Sequence, residues 1–122
     1  MTSVLFVLND APYGSERSYN GLRHAMAMSK QDDVNVKVFL MADATTCALA
    51  GQKTPEGYYS VERMLKGLVA KKSMVGLCGT CMDARGLASL PLVEGAERGN
   101  MDLGPAPSAA RASQRSSPTA AG

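Results

Sequence analysis

Three short apolar runs, each followed by a helical pattern, constrain the fold of this chain more than any other feature. The runs cover residues 3–8, 34–41 and 74–77. The first is continuously apolar, and the second becomes apolar on both sides, which is typical of strands buried in a parallel sheet. Parallel strands joined through helices require right-handed crossovers. The sequence therefore predicts an α/β fold with a mainly parallel sheet covered by helices on both faces.

The segments around these runs carry the capping residues and the periodicity of helices. We predict a helix capped by Ser15, a short helix capped by Asp43 and an amphipathic helix capped by Ser60. A fourth, short helix is predicted over residues 89–96, where Pro91 suits the first turn.

The turn after the third run has a strand–turn–helix pattern. Gly79 allows a tight turn, and Thr80 followed by Asp83 forms a capping-box pattern that marks a helix start. Cys78 is therefore expected at the end of a strand, just ahead of a helix N-terminus.

Two cysteines in this turn are the candidate catalytic residues. The free N–H groups and partial positive charge of a helix N-terminus are expected to lower the pKa of Cys78, and Arg85 adds a cation one turn further on. We predict that Cys78 is a reactive sulfur site, with Cys81 as its neighbour or resolving partner and with Gly79, Thr80 and Arg85 in support. The alternative is that both cysteines are reduced packing residues.

Composition excludes several classes of function. The chain has 122 residues, a net charge of +2 and three cysteines, with no basic cluster and no long apolar span. We therefore expect one domain that binds neither nucleic acid nor membrane, and, without an export leader, a reducing cytoplasm. One CxxC pair, a distant Cys47 and the single His24 do not make a four-ligand zinc site, so neither a metal nor another cofactor is expected.

The carboxyl ends of parallel strands meet at one edge of the sheet, where ligands bind. This rule brings the loop after the first run close to Cys78. Asp10, Tyr13 and Gly14 of that loop are the candidate pocket residues. Tyr13 has packing as its alternative role, because tyrosine commonly sits half buried.

The last part of the chain differs from the rest. Residues 104–122 contain no Leu, Ile, Val, Met, Phe, Tyr or Cys and are rich in Pro, Ala, Ser and Arg. Such a segment buries too little apolar surface to offset the entropy of ordering. We predict a folded domain over residues 1–103 and a disordered tail over residues 104–122.

The chain resembles the DsrE/DsrF-like family of small α/β proteins, which includes sulfur-relay subunits. The matches are the opening strand, the loop 10–15 with Leu22 and Ala25 after it, the strand 36–41, and Cys78 with Arg85-Gly86 behind it. The resemblance implies a flavodoxin-like three-layer α/β/α fold, a cytoplasmic location, trimers or hexamers, and a persulfide on Cys78 that is passed between proteins.

Two features depart from that family. Cys81 is not part of the pattern in the relay subunits. Members continue beyond the position of residue 102 with a helix and a last strand, which the Pro/Ala/Ser/Arg segment replaces here. The chain is therefore expected to be truncated or frameshifted at this end and to form a sheet with one strand fewer.

Three functions compete on these grounds. The first is a sulfurtransferase-like sulfur carrier, in which Cys78 holds a persulfide between a donor and an acceptor protein. The second is a dithiol redox or sensing protein that uses a reversible Cys78–Cys81 disulfide. The third is a non-catalytic oligomeric module that binds a ligand or partner in the pocket at the carboxyl edge.

Overall fold

A four-stranded parallel sheet organises the molecule in the computed structural model, which describes residues 2–99. In chain order the strands are β1 (Thr2–Leu8), β2 (Val34–Leu40), β3 (Met74–Cys78) and β4 (Ala96–Gly99). The elements between them are α1 (Arg17–Ser29), a 3₁₀ segment (Ala42–Ala48), α2 (Val61–Ala70) and α3 (Gly79–Ala84). The strands also lie side by side in chain order, and every neighbouring pair is parallel. The predicted flavodoxin-like α/β fold is thereby confirmed.

Two helices cover one face of the sheet. Alternate residues of β2 point to this face, as the two-residue period of a strand requires. The main core residues are Val36, Val38 and Leu40 of β2, Leu22 and Ala25 of α1, and Leu65 and Leu68 of α2. Burying one such leucine contributes roughly 1.5–3 kcal/mol, so this layer is the main source of stability.

The opposite face of β2 carries Lys37 and Phe39. Both are buried, and burial lowers the pKa of the Lys37 ammonium from its ordinary value.

The predicted tail, the predicted end of the domain at residue 103 and the predicted loss of a last helix and strand lie outside the described residues.

Helix starts agree only in part with the capping predictions. Ser60 caps α2, because its hydroxyl oxygen accepts a hydrogen bond from the Arg63 N–H at 3.3 Å. Ser15 does not cap α1, which starts after Glu16 without a side-chain cap, and Ser15 instead donates to Asp10. Asp43 lies inside the first turn of the 3₁₀ segment and is not its cap.

The prediction of a helix over residues 89–96 is wrong. Instead, β4 begins at Ala96, and the segment before it runs alongside the end of the 3₁₀ segment. There the Ala50 N–H donates to the Pro91 carbonyl at 2.9 Å, and the Val93 N–H donates to the Ala48 carbonyl at 2.7 Å. These long-range bonds satisfy the backbone in an extended path, so tertiary pairing overrides the local helical signal.

Candidate functional site

The two sulfur atoms of the CxxC pair lie at the carboxyl edge of the sheet, where β3 turns into α3. Cys78 is the last residue of β3 and is itself the N-cap of α3. Its Sγ accepts a hydrogen bond from the Cys81 N–H at 3.4 Å. The predicted strand–turn–helix arrangement is present, with one correction, because Cys78 takes the capping position that the sequence pattern assigned to Thr80.

The pKa of Cys78 moves in the opposite direction from the one expected. The side chain is buried, with only 4% of its surface exposed. Burial raises the pKa of the Cys78 thiol and its hydrogen bond to the Cys81 sulfur raises it further, while the N–H groups of Cys81 and Thr80 only partly oppose these effects. Desolvation of a thiolate outweighs the attraction of the backbone amides at this position.

Cys81 is the more acidic thiol of the pair. It is half-buried, and the hydrogen bond donated by the Cys78 thiol is the main cause that lowers its pKa. The Ala42 N–H and the positive charge of Arg85 lower the pKa of Cys81 further, against an opposing contribution from burial. The thiolate of this dithiol is therefore expected on Cys81.

One of these donors, Ala42, has an unusual backbone conformation. Ala42 lies two residues beyond Leu40, the last residue of β2, and has a φ of 48°, in the left-handed region that residues with a side chain rarely adopt. The Ala42 N–H lies close enough to the sulfur of Cys81 to lower the pKa of that thiol. Such strain costs on the order of 1–3 kcal/mol and is concentrated at functional sites.

Arg85 connects α3 to the 3₁₀ segment. Its Nε donates to the Asp43 carboxylate at 2.9 Å, and its Nη1 donates to the Cys81 carbonyl at 3.2 Å. Arg85 therefore acts on Cys81 and does not reach Cys78 through any hydrogen bond found among residues 2–99. The supporting role predicted for Arg85 stays a prediction, now directed at the second cysteine.

Arg98 is a residue of this site that the sequence reasoning missed. It forms a two-pronged ion pair with Asp83, with N–O distances of 2.9 and 2.8 Å. Its guanidinium lies against Gly79, where an added Cβ would come within 2.6 Å of the Arg98 Nε. The ion pair with Asp83 is the main cause that raises the Arg98 pKa, and a charge on the nearby Cys78 raises it further. Only recognition of β4 would have revealed this cation.

The loop residues predicted to share a pocket with Cys78 lie elsewhere along the same edge. The Asp10 carbonyl accepts hydrogen bonds from the Ser18 hydroxyl at 2.6 Å and from the Cys47 thiol at 3.9 Å. Gly14 has a φ of 103°, which glycine adopts readily. Because β2 lies between β1 and β3, the 3₁₀ segment separates this loop from Cys78.

Tyr13 belongs to a separate aromatic pocket. Its hydroxyl accepts a hydrogen bond from the Val61 N–H at 3.1 Å, and its ring packs on Tyr59 at 5.4 Å between centroids. The cavity measures about 640 Å³. It is lined by Tyr13, Tyr58, Tyr59, Pro55 and residues 52–54. Glu62 fixes the loop around it, because its carboxylate accepts hydrogen bonds from the Gly51 and Gln52 N–H groups at 3.2 and 2.8 Å.

The remaining candidates have structural surroundings. Burial raises the pKa of the Cys47 thiol to about 12, as expected for a packing cysteine. His24 contacts the ring of Phe6 edge to face at 5.3 Å. No cluster of three or more His, Cys, Asp or Glu side chains suited to a metal ion occurs within residues 2–99. None of the helices in that range combines the length and apolar character needed to cross a membrane.

Comparisons with known proteins identify relatives of this chain. The model of the DsrE/DsrF-like family matches residues 2–110. Protein YchN of Escherichia coli is 45% identical over 102 residues, which are 83% of this chain and 86% of that protein. An uncharacterized protein of Methanopyrus kandleri is 33% identical over 98 residues, covering 80% and 79% of the two chains.

The fold comparison gives the same relationship. The crystal structure of YchN from E. coli superposes with a TM-score of 0.79 at 41% identity, over 96% of this chain and 94% of that one. The family match, the shared identity and the common fold together show that this chain belongs to the DsrE/DsrF-like family.

Proposed function

We propose that this protein is a persulfide carrier that takes a sulfane sulfur from a donor and passes it to a partner's thiol through the Cys78–Cys81 pair. The observation that carries the proposal is the pair itself, held at the open edge of the sheet. Cys78 Sγ receives the Cys81 N–H at 3.4 Å, and Cys81 is the half-buried, more acidic partner. Membership of a family that includes sulfur-relay subunits supports the same chemistry.

Loading and unloading require no change in the overall oxidation state. A cysteine thiolate attacks the terminal sulfur of a donor persulfide, a new S–S bond forms, and the donor thiolate leaves with the electron pair of the broken S–S bond. In unloading, an acceptor thiolate attacks the same terminal sulfur and the carrier thiolate leaves. The proton of the terminal sulfur travels with it in each step, so atoms and electrons balance.

The setting is part of the same proposal. By analogy with the sulfur-relay members, the protein works in the cytoplasm as a trimer or hexamer, with a donor and an acceptor protein as its partners. Analytical ultracentrifugation of the purified full chain tests the assembly, and a single species of monomer mass contradicts it.

Mass spectrometry tests the chemistry. Reduced protein is incubated with glutathione persulfide, and the expected product carries the mass of one additional sulfur atom. The double variant Cys78→Ser/Cys81→Ser should gain none. Cys47→Ser is the matched control and should load like the unmodified chain. Absence of loading, or equal loading of the double variant, refutes the proposal.

A dithiol switch is the second candidate, and the hydrogen bond between the two thiols favours it. An oxidised small-molecule disulfide would accept two electrons and two protons while the Cys78–Cys81 disulfide forms. Titration in glutathione redox buffers decides between the candidates. A switch requires a reduction potential within the range of those buffers, and Cys81→Ser would abolish it.

The aromatic pocket favours the third candidate, a ligand- or partner-binding module. This function depends on Tyr13 and on the loop around Gln52, and not on the thiols. It predicts that Cys78→Ser/Cys81→Ser retains biological activity in cells. Loss of activity in that variant refutes this third candidate.

A further inference from the structure

We propose that the two cysteines act in sequence, with Cys81 as the entry point that takes sulfur from the donor and Cys78 as the store that receives it from Cys81. This inference rests on the proposed sulfur-carrier function. It assigns the first nucleophilic attack to the residue that is not part of the relay pattern.

Exposure determines which sulfur a donor can reach. The Cys78 side chain is 4% exposed, whereas Cys81 is half-buried. In-line attack requires the donor's terminal sulfur to contact the attacking sulfur, with the leaving sulfur on the far side. A donor persulfide can approach Cys81 from solvent, but the surrounding protein blocks its approach to Cys78.

The surroundings of Cys81 are those of a prepared nucleophile. The Ala42 N–H lies beside the Cys81 sulfur and lowers its pKa. Arg85 is fixed between the Asp43 carboxylate and the Cys81 carbonyl, with N–O distances of 2.9 and 3.2 Å. One donor and one cation from different segments therefore converge on this residue, and both stabilise negative charge on its sulfur.

The contact between the two thiols provides the path for the second step. The Cys78 Sγ lies 3.4 Å from the Cys81 nitrogen, and its thiol is close enough to the Cys81 sulfur to lower the pKa of Cys81. When Cys81 carries a persulfide and its side chain rotates so that the terminal sulfur lies between the two Sγ atoms, the Cys78 sulfur attacks that terminal sulfur in line and the bond to the Cys81 sulfur breaks. The Cys78 proton moves to the departing Cys81 sulfur, so Cys78–SH and Cys81–S–SH become Cys78–S–SH and Cys81–SH. No oxidant or reductant is consumed.

The surroundings of Cys78 suit retention of the sulfur. Its Sγ is held by the N–H groups of Thr80 and Cys81, and the protein shields it from solvent thiols. Arg98, fixed by its ion pair with Asp83, lies beside the turn. A sulfur on Cys78 is therefore protected from solvent thiols, and it reaches an acceptor by the reverse transfer to Cys81, where it is open to attack.

The test uses the full chain with Cys47→Ser as the common background. Either Cys78→Ser or Cys81→Ser is added, and each protein is mixed with glutathione persulfide, quenched with an alkylating agent and sequenced by tandem mass spectrometry. Serine at position 78 preserves the cap, because its hydroxyl also accepts the backbone N–H. Circular dichroism confirms that each variant is folded before it is mixed.

Three results are expected. Cys78→Ser still loads, and its sulfur resides on Cys81 and is removed faster by added dithiothreitol. Cys81→Ser loads at least about ten-fold more slowly, because the remaining sulfur is buried and protonated. In the background protein the sulfur is found on Cys81 at the earliest times and on Cys78 later.

Two results overturn the inference while leaving the carrier function in place. They are loading of Cys81→Ser at the background rate, and failure of folded Cys78→Ser to load while the background protein loads. If the background protein itself does not load, the carrier function fails and the inference fails with it. Iodoacetamide labelling of the reduced background protein is an independent check, since alkylation of Cys78 ahead of Cys81 also contradicts the assigned order.

Discussion

Replacing Glu62 by Gln is a sharp test of how this structure holds the loop beside the aromatic pocket. Glu62 belongs to the first turn of α2, and only 8% of the residue is exposed. One carboxylate oxygen accepts the Gln52 N–H at 2.8 Å, and the other accepts the Gly51 N–H at 3.2 Å. Lys66 lies 3.3 Å away, one turn along the helix. Among the described hydrogen bonds, the Gly51 and Gln52 N–H groups have no acceptor other than the Glu62 carboxylate.

The size of the effect follows from these contacts. Hydrogen bonds to a charged acceptor contribute roughly 1.5–3 kcal/mol each, and an unsatisfied buried donor costs a similar amount. Glutamine keeps one oxygen acceptor but presents an NH₂ group to the second backbone N–H. We therefore expect Glu62→Gln to lower the free energy of unfolding by about 2 kcal/mol.

Urea denaturation at pH 7 measures this loss. Glu56→Gln, at an exposed position of the same loop, is the matched control and should unfold at the same urea concentration as the unmodified chain. Equal midpoints for Glu62→Gln and the control would refute the assigned role.

The pH dependence supplies a second check. Burial favours the protonated form, but the two N–H groups and Lys66 together lower the Glu62 pKa from its ordinary value of 4.5. A carboxylate with a lowered pKa stabilises the fold fully above pH 4.5, and that contribution is lost as the pH falls through the folded-state pKa. The difference between the unmodified chain and Glu62→Gln should therefore be constant near neutral pH and shrink in acid. A difference that grows in acid would contradict this sign.

Three further outcomes follow from contacts described above. Tyr13→Phe removes the acceptor for the backbone N–H at the start of α2 and should cost about 1 kcal/mol in urea denaturation, whereas Tyr58→Phe, at a 71% exposed side chain, should cost nothing measurable. Because burial raises its pKa to about 12, Cys47 should resist iodoacetamide at pH 8 in the native protein and react readily in urea, and rapid native labelling would contradict its buried position. Gly79→Ala places a Cβ 2.6 Å from the Arg98 Nε and should displace that flexible side chain. In a double-mutant cycle, its effect on the free energy of unfolding should therefore be non-additive with that of Arg98→Ala, and strict additivity would argue against the contact.

The elements that the sequence predicted well are those with a strong local signal. β1 and β2 are apolar runs, and the i, i+3, i+4 stripe of α2 starts directly after the cap at Ser60. The turn at Cys78 could also be recognised, because a buried strand ends there and glycine follows. In each case the local preference and the tertiary environment favour the same structure.

The features that escaped prediction depend on long-range contacts. β4 reads Ala-Glu-Arg-Gly, which has neither strand periodicity nor strand propensity, and its pairing with β3 alone defines it. Arg98 was missed for this reason. The order of the two thiol pKa values depends on the burial of Cys78, on the contact between its thiol and Cys81, and on the nearby Ala42 N–H, none of which is encoded in the spacing of the cysteines.

The succession of strands has a consequence for synthesis on the ribosome. Thr2 pairs with Val34, Lys37 with Met74 and Val75 with Ala96, so each strand docks on the one translated immediately before it. The sheet can therefore grow from its N-terminal edge as the chain emerges, without waiting for distant partners. Ala42 leaves the exit tunnel well before Cys78 and Cys81. One of the amide donors for Cys81 is therefore synthesised before the thiol whose pKa it lowers.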